Sequence, residues 1–323
     1  MKKKLLFIAP NYYGFNEVVF EGLKKYSDYE IIHINSTANY QYKNIFEKIY
    51  NFFLKTFLGK NLKNIKKGSH IKYMIERFEF DVVLINRADV LSDTNLDLAL
   101  KKSKTSIVLF WDSIKKIPVQ EKYITKFDIR YSFDLEDCEK YNLKYITNFY
   151  FSKHISQSLK YDVAYLATYD HRIKEAILFF KYFNDNKISA KGKIFSYKSN
   201  PVKEKLPQNI ELINEIMPFS KSYKYYLDSK IILDIAHPHQ KGLSFRPYEA
   251  LGLNKKLITT NQEIVNCDFY NPNNILLIKD LNDFRIPNSF LTSEYEKPAE
   301  WIKEKYFIKN WVKTILSNTE NEY

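Results

Sequence analysis

At 323 residues the chain exceeds what one hydrophobic core usually organises, so two domains of ordinary size are expected. Its 45% hydrophobic and 27% charged residues exclude a disordered chain, and no apolar run approaches the length needed to cross a bilayer. A formal charge of +12 points to an anionic partner: a substrate, a membrane surface or nucleic acid.

The N-terminus, MKKKLLFIAPNYYGF, superficially resembles a secretory leader. Its apolar core is only LLFIA, however, and no small-residue cleavage site follows, so a buried first strand behind solvated lysines is expected. A helix follows Tyr13 through Lys25, EIIHI at 30–34 is a second strand, and a long helical stretch occupies 42–66. DVVLINRA (81–88) is a third strand, followed by the helix DLALKKSK; TSIVLFWDS (105–113) is a fourth. FDIRYSF and KYITNFYF read as shorter edge strands. The alternation restarts with the strand YDVAYLAT (161–168) and the helix HRIKEAILFFKYFND. GKIFSY, NIELINE, IILDIA, KKLITTN and NILLIK continue as strands, with SKSYKYYLDS and FRPYEALGL helical between them. EKPAEWIKEKYFIKNWVKTILSN closes the chain as a helix. Apolar β-branched runs alternating with helices predict an α/β chain of two doubly wound, Rossmann-like domains facing a cleft. Residues 1–155 form the first, 156–300 the second, and 301–323 a terminal helix. Cys138 and Cys267 lack CxxC spacing, which suits a reducing cytoplasm and no structural zinc.

Ligands of open parallel sheets bind beyond the carboxyl ends of the strands. QKGLSFRPYEALGLNKKLITTN (240–261) lies at such a place. Gly242 allows positive φ and close ligand approach, Ser244 suits the N-cap of a helix starting near Phe245, and Pro247 fits the first turn. A helix N-terminus with Arg246 beside it favours a phosphate, and Glu249 suits two ribose hydroxyls. The alternative is a capped helix with a surface Arg–Glu pair.

GLSFRPYEALGLNKKLITTN followed by DFYNPNNILLI resembles the donor-binding segment of bacterial GT-B glycosyltransferases of lipopolysaccharide and capsular polysaccharide biosynthesis. The resemblance is specific over residues 230–280 and architectural elsewhere. It implies transfer from a nucleotide-sugar donor to a growing bacterial surface glycan, on a glycan or lipid-linked acceptor. It implies that the terminal helix returns to the first domain, that Glu249 holds the donor ribose, and that Gly242, Leu243, Ser244 and Arg246 meet the pyrophosphate. Thr168 and Arg172, in LATYDHR, would add hydroxyl and guanidinium groups; the alternative there is a plain strand–helix turn capped by Asp170. Asp112, in FWDSIKK, would deprotonate the acceptor, the alternative being a helix-capping aspartate followed by Ser113. Asp89 is a second choice. Tyr12, Tyr13 and Gly14, in NYYGF, would line the acceptor side, the alternative being that the tyrosines are packing residues.

His237 and His239 flank Pro238, but no further ligands accompany them, so no zinc site is expected; His239 or Gln240 would instead approach the donor. No Asp-x-Asp ends a strand, so no obligatory metal or other cofactor is expected. Over 43–67, Phe46, Tyr50, Phe53 and Phe57 recur at helical spacing among seven lysines and one glutamate. That pattern fits an anionic membrane surface, with peripheral attachment to the cytoplasmic face of the inner membrane, or a helix packed on its own sheet. A dehydrogenase fails because APNYYGFNE carries a single glycine in place of GxGxxG, and a P-loop is absent. No nucleic-acid reader motif appears, so nucleic acid is not an expected partner. A non-catalytic nucleotide- or sugar-binding protein of the same fold is the alternative reading.

Overall fold

A computed structural model of the chain describes residues 2–38, 40–155, 158–238 and 240–319. The first sheet comprises β1 (Lys4–Ala9), β2 (Glu30–Asn35), β3 (Phe80–Asn86), β4 (Ser103–Phe110), β5 (Ile129–Ser132) and β6 (Lys144–Tyr145). They run parallel in the order β2-β1-β3-β4-β5-β6. β1, β3 and the second half of β4 (IVLF) are nearly continuous apolar runs because helices cover both of their faces. Around them lie α1 (Phe15–Tyr26), α2 (Ile45–Leu58), α3 (Leu62–Glu76), α4 (Asp93–Lys101) and α5 (Leu135–Tyr141).

The second sheet has β7 (Tyr161–Thr168), β8 (Ala190–Phe195), β9 (Ile210–Ile213), β10 (Ser229–Asp234), β11 (Lys256–Thr259) and β12 (Ile275–Leu277). These are also parallel, in the order β12-β11-β10-β7-β8-β9. Its helices are α6 (Ile173–Asp185), α7 (Phe219–Tyr226), α8 (Phe245–Leu253), α9 (Asn288–Thr292) and α10 (Glu300–Lys305). The last helix, α11 (Ile308–Leu316), returns to the first sheet: Ile308, Trp311, Val312 and Ile315 share a core with Leu5, Phe7 and Leu84. Gly22 makes that contact possible, since a Cβ there would lie 2.6 Å from Ile308 Cδ1.

Two expected elements are each divided. The helix expected over 42–66 is α2 and α3, because Gly59 adopts φ 60° and ends α2 with a left-handed cap. The C-terminal helix breaks at 306–307, where the chain pairs with Tyr150: Tyr150 N donates to Tyr306 O and Ile308 N to Tyr150 O, at 3.0 and 2.9 Å. KYITNFYF contributes only the two-residue β6. In each sheet the chain changes winding direction beside the strand that comes first in sequence, at β1/β3 and at β7/β10, and the loops diverge there.

Candidate functional site

The carboxyl ends of β1, β3 and β4 face those of β7 and β10 across a cavity of about 550 Å³. On the second-domain wall, Ser244 is the N-cap of α8. Its Oγ accepts from Arg246 N at 3.1 Å and donates to Asp234 Oδ1 at 2.9 Å. Arg246 is ion-paired with Glu249 one turn on, reaches Leu166 O through Nη2 at 3.4 Å, and lies over the Tyr226 ring. Burial by itself would lower the Arg246 pKa, but the Glu249 carboxylate outweighs it and the net shift is upward. Glu249 is buried, and its Oε1 accepts from Ser222 Oγ at 2.6 Å. Asp234, at the end of β10, also accepts from Thr259 Oγ1 at 2.9 Å, and burial pushes its carboxyl up. The Arg–Glu pair is therefore an interior one, with Arg246 on the cavity wall and Glu249 behind it.

Thr168 ends β7 and lines the cavity, as does Arg172. Asp170 accepts from the Arg172 backbone at 2.9 Å and from its guanidinium, while Arg172 Nη1 donates to Ile235 O at 2.9 Å. The His171 and His237 rings meet edge to face, 4.8 Å between centroids. Burial first, then Lys116 and Arg172, pushes His237 down to about 4.

Gly242 plays a different part from the one expected. Its φ is not positive; it lacks a side chain because a Cβ would collide with the carbonyl and ring of Phe133. Lys241 N and Gly242 N donate to Asp134 Oδ2 at 2.9 and 3.3 Å, and Leu243 O accepts from Asn148 Nδ2 at 2.8 Å. Neither Gly242 nor Leu243 lines the cavity: this segment joins the two domains, and the Lys241 and Gly242 amides are already bound. Gln240 does line it, and its Nε2 crosses to Asp112 Oδ1 at 3.2 Å. His239 lies outside the described residues.

The first-domain wall carries Asp112 at the end of β4, paired with Lys116 at 2.6 Å and with Arg87 at 3.9 Å. Arg87 takes φ 62° and grips Asp89 through two hydrogen bonds of 2.8 Å, so Asp89 is committed and stands off the wall. Tyr12 and Tyr13 line the cavity; Gly14 does not, but its φ of 75° turns the chain into α1. Tyr197 donates to the Tyr13 hydroxyl at 2.9 Å, a direct bridge between domains. Phe245 packs among Phe15, Phe219, Phe149 and Trp111 as an aromatic floor.

Three buried polar atoms on lining side chains have no protein partner: Asn86 Oδ1, Asn148 Oδ1 and Trp111 Nε1. Leaving such buried groups unpaired is costly. Asn86 and Asp234 escaped the sequence reading although both end apolar strand runs, the same signal that picked out Asp112. Ser222 and Asn148 had no such signal. A second hollow of about 620 Å³ lies outside α1, beside Glu17, Glu21, Lys25 and His33; of its lining atoms His33 Nε2 is buried without a partner, against three such atoms in the cavity between the sheets.

No family model matches the chain, and no curated protein does. Solved structures do. A glycosyltransferase from Rickettsia africae is 14% identical over 99% of this chain and 100% of its own, with a TM-score of 0.54. S. aureus MnaA in complex with UDP is 15% identical over 100% and 98%, at 0.50. The lipopolysaccharide outer core galactosyltransferase WaaB, in its apo form, is 14% identical over 98% and 99%, also at 0.50. The likeness is one of fold: the chain has the two-domain GT-B fold that its sequence led us to expect.

Proposed function

We propose that the protein is a glycosyltransferase moving a sugar from a nucleoside-diphosphate donor to a glycan or lipid-linked glycan of the bacterial surface. The observation that carries this reading is the facing of two differently equipped walls across one cavity: Ser244, Arg246, Thr168 and Arg172 on one side, Asp112, Asn86 and the tyrosines on the other. The α8 N-terminus and the two guanidiniums suit a pyrophosphate whose negative charge grows as the sugar leaves. Arg246 now engages Glu249, so donor binding is an exchange: Arg246 turns to phosphate and Glu249 is released to the ribose hydroxyls. Asp112 takes the proton of the attacking acceptor hydroxyl, giving up one of its contacts to Lys116 or Gln240. No step requires a metal ion. On this reading the reaction is cytoplasmic, and the likeness to a lipopolysaccharide galactosyltransferase supports a surface-glycan acceptor.

A thermal-shift screen of UDP, GDP, CMP, CDP, ADP and TDP on wild type and Glu249→Gln tests this. UDP comes first because a similar fold was solved with it. At a hundredfold excess over Kd, a ligand specific for the folded state adds about 2.7 kcal/mol. One nucleotide stabilising wild type and not Glu249→Gln is the expected result; no shift from any at millimolar concentration overturns the reading.

A further inference from the structure

The strongest unassigned surface is α2. A β–α–β crossover needs one helix over the sheet, and α3 supplies it: Ile71 and Ile75 enter the core beside β1 and β3. α2 buries only Leu54 and Asn51. It is fixed through its polar side, where Asn51 Oδ1 accepts from Leu62 N and Asn51 Nδ2 donates to Tyr42 OH, both at 2.7 Å. Its apolar side faces solvent, with Phe46 and Phe57 75% and 72% exposed, Phe52 and Phe53 more than half and Ile49 just under half. At about 100° per residue these side chains span an arc of roughly 140°, interrupted only by Thr56. Lys48 and Lys55 both lie beyond one edge of that arc, next to Phe52. Across 43–67 seven lysines face one acid, Glu47, which is already held by the Tyr40 hydroxyl and Lys43 N.

We propose that α2 is an interfacial anchor that lies in the surface of an anionic lipid bilayer, with its phenylalanines among the acyl chains and its lysines at the headgroups. Charge complementarity selects this occupant. A second copy docked through the same face would oppose two lysine-rich borders, whereas anionic headgroups neutralise one. Among the described residues no helix is long and apolar enough to cross a membrane, so the attachment is along the surface. The proposal stands on α2 alone and does not depend on the reaction in the cavity.

The test is vesicle flotation of the purified chain with phosphatidylcholine alone and with added phosphatidylglycerol. It is run on wild type, Phe46→Ser/Phe53→Ser/Phe57→Ser and Lys48→Glu/Lys55→Glu, with sedimentation velocity in parallel. The expected result is flotation with anionic vesicles, reduced at least tenfold on neutral ones and in both variants, at unchanged melting temperature. Should the triple variant fail to fold, the lysine pair decides alone. Wild type remaining unbound with anionic vesicles, variants floating like wild type, or a dimer that the phenylalanine changes abolish without any vesicle binding would each overturn it.

Discussion

The Arg246–Glu249 pair makes the sharpest energetic prediction. Glu249→Leu removes a carboxylate that is 2% exposed and leaves the Arg246 guanidinium with Leu166 O, 3.4 Å away, as its remaining hydrogen-bond acceptor. Breaking a buried pair on one side costs about 3–5 kcal/mol, because the survivor is an uncompensated charge. Arg246 retains 19% side-chain exposure and so some access to water, which places the cost near the bottom of that range, at about 3 kcal/mol. With unfolding entropy near 2.1 cal/mol/K per residue, a chain of this length loses about 1.5 °C per kcal/mol, so the expected fall is about 4–5 °C if it unfolds as a unit. Arg246→Met/Glu249→Leu removes both charges and fills the space with apolar atoms, and is expected within about 1 kcal/mol of wild type. Calorimetry on wild type, both single variants and the double variant closes the cycle. If the double variant loses the sum of the singles, or Glu249→Leu melts like wild type, the two groups are not coupled and the exchange proposed for donor binding has no basis.

Asp112→Asn is expected to lower transfer by about 10²–10⁴-fold while the nucleotide-induced thermal shift persists; a variant that retains activity removes Asp112 as the base. His237 predicts a pH effect on stability. Its folded pKa, about 4, lies below its unfolded value, so the folded state resists protonation and the stabilisation present above pH 6.5 is lost as pH falls towards 4. Melting temperatures measured across that window should fall less steeply in His237→Gln; equal slopes would show that His237 titrates normally.

The two sheets were legible because parallel strands covered on both faces must be apolar at nearly every position, as LLFIA and DVVLIN are. What escaped were interruptions set by something other than side-chain periodicity. The helical pattern of 42–66 runs on through Gly59, and only the left-handed φ there shows that the chain turns. The break at 306–307 is set by the backbone of Tyr150, more than 150 residues earlier, and no local signal records that pairing. In the site, strand ends were legible as places but not as partners. Ser244 is the expected N-cap, whereas the Gly242 amide is spent on Asp134 from the other domain.

α2 shows where sequence patterning stops. An apolar stripe states that a face will be covered; it does not state by what. The stripe of Phe46, Phe53 and Phe57 is equally compatible with packing on the sheet and with facing outward, since both cover the same side chains. The deciding residue is on the other side of the helix. Asn51 gives its carbonyl to Leu62 N, an unsatisfied amide at the start of α3, and its amide to Tyr42, and in doing so turns the polar side inward. A buried asparagine with both ends satisfied holds that orientation more firmly than Leu54 alone could, and the phenylalanines are then left for a surface outside the chain.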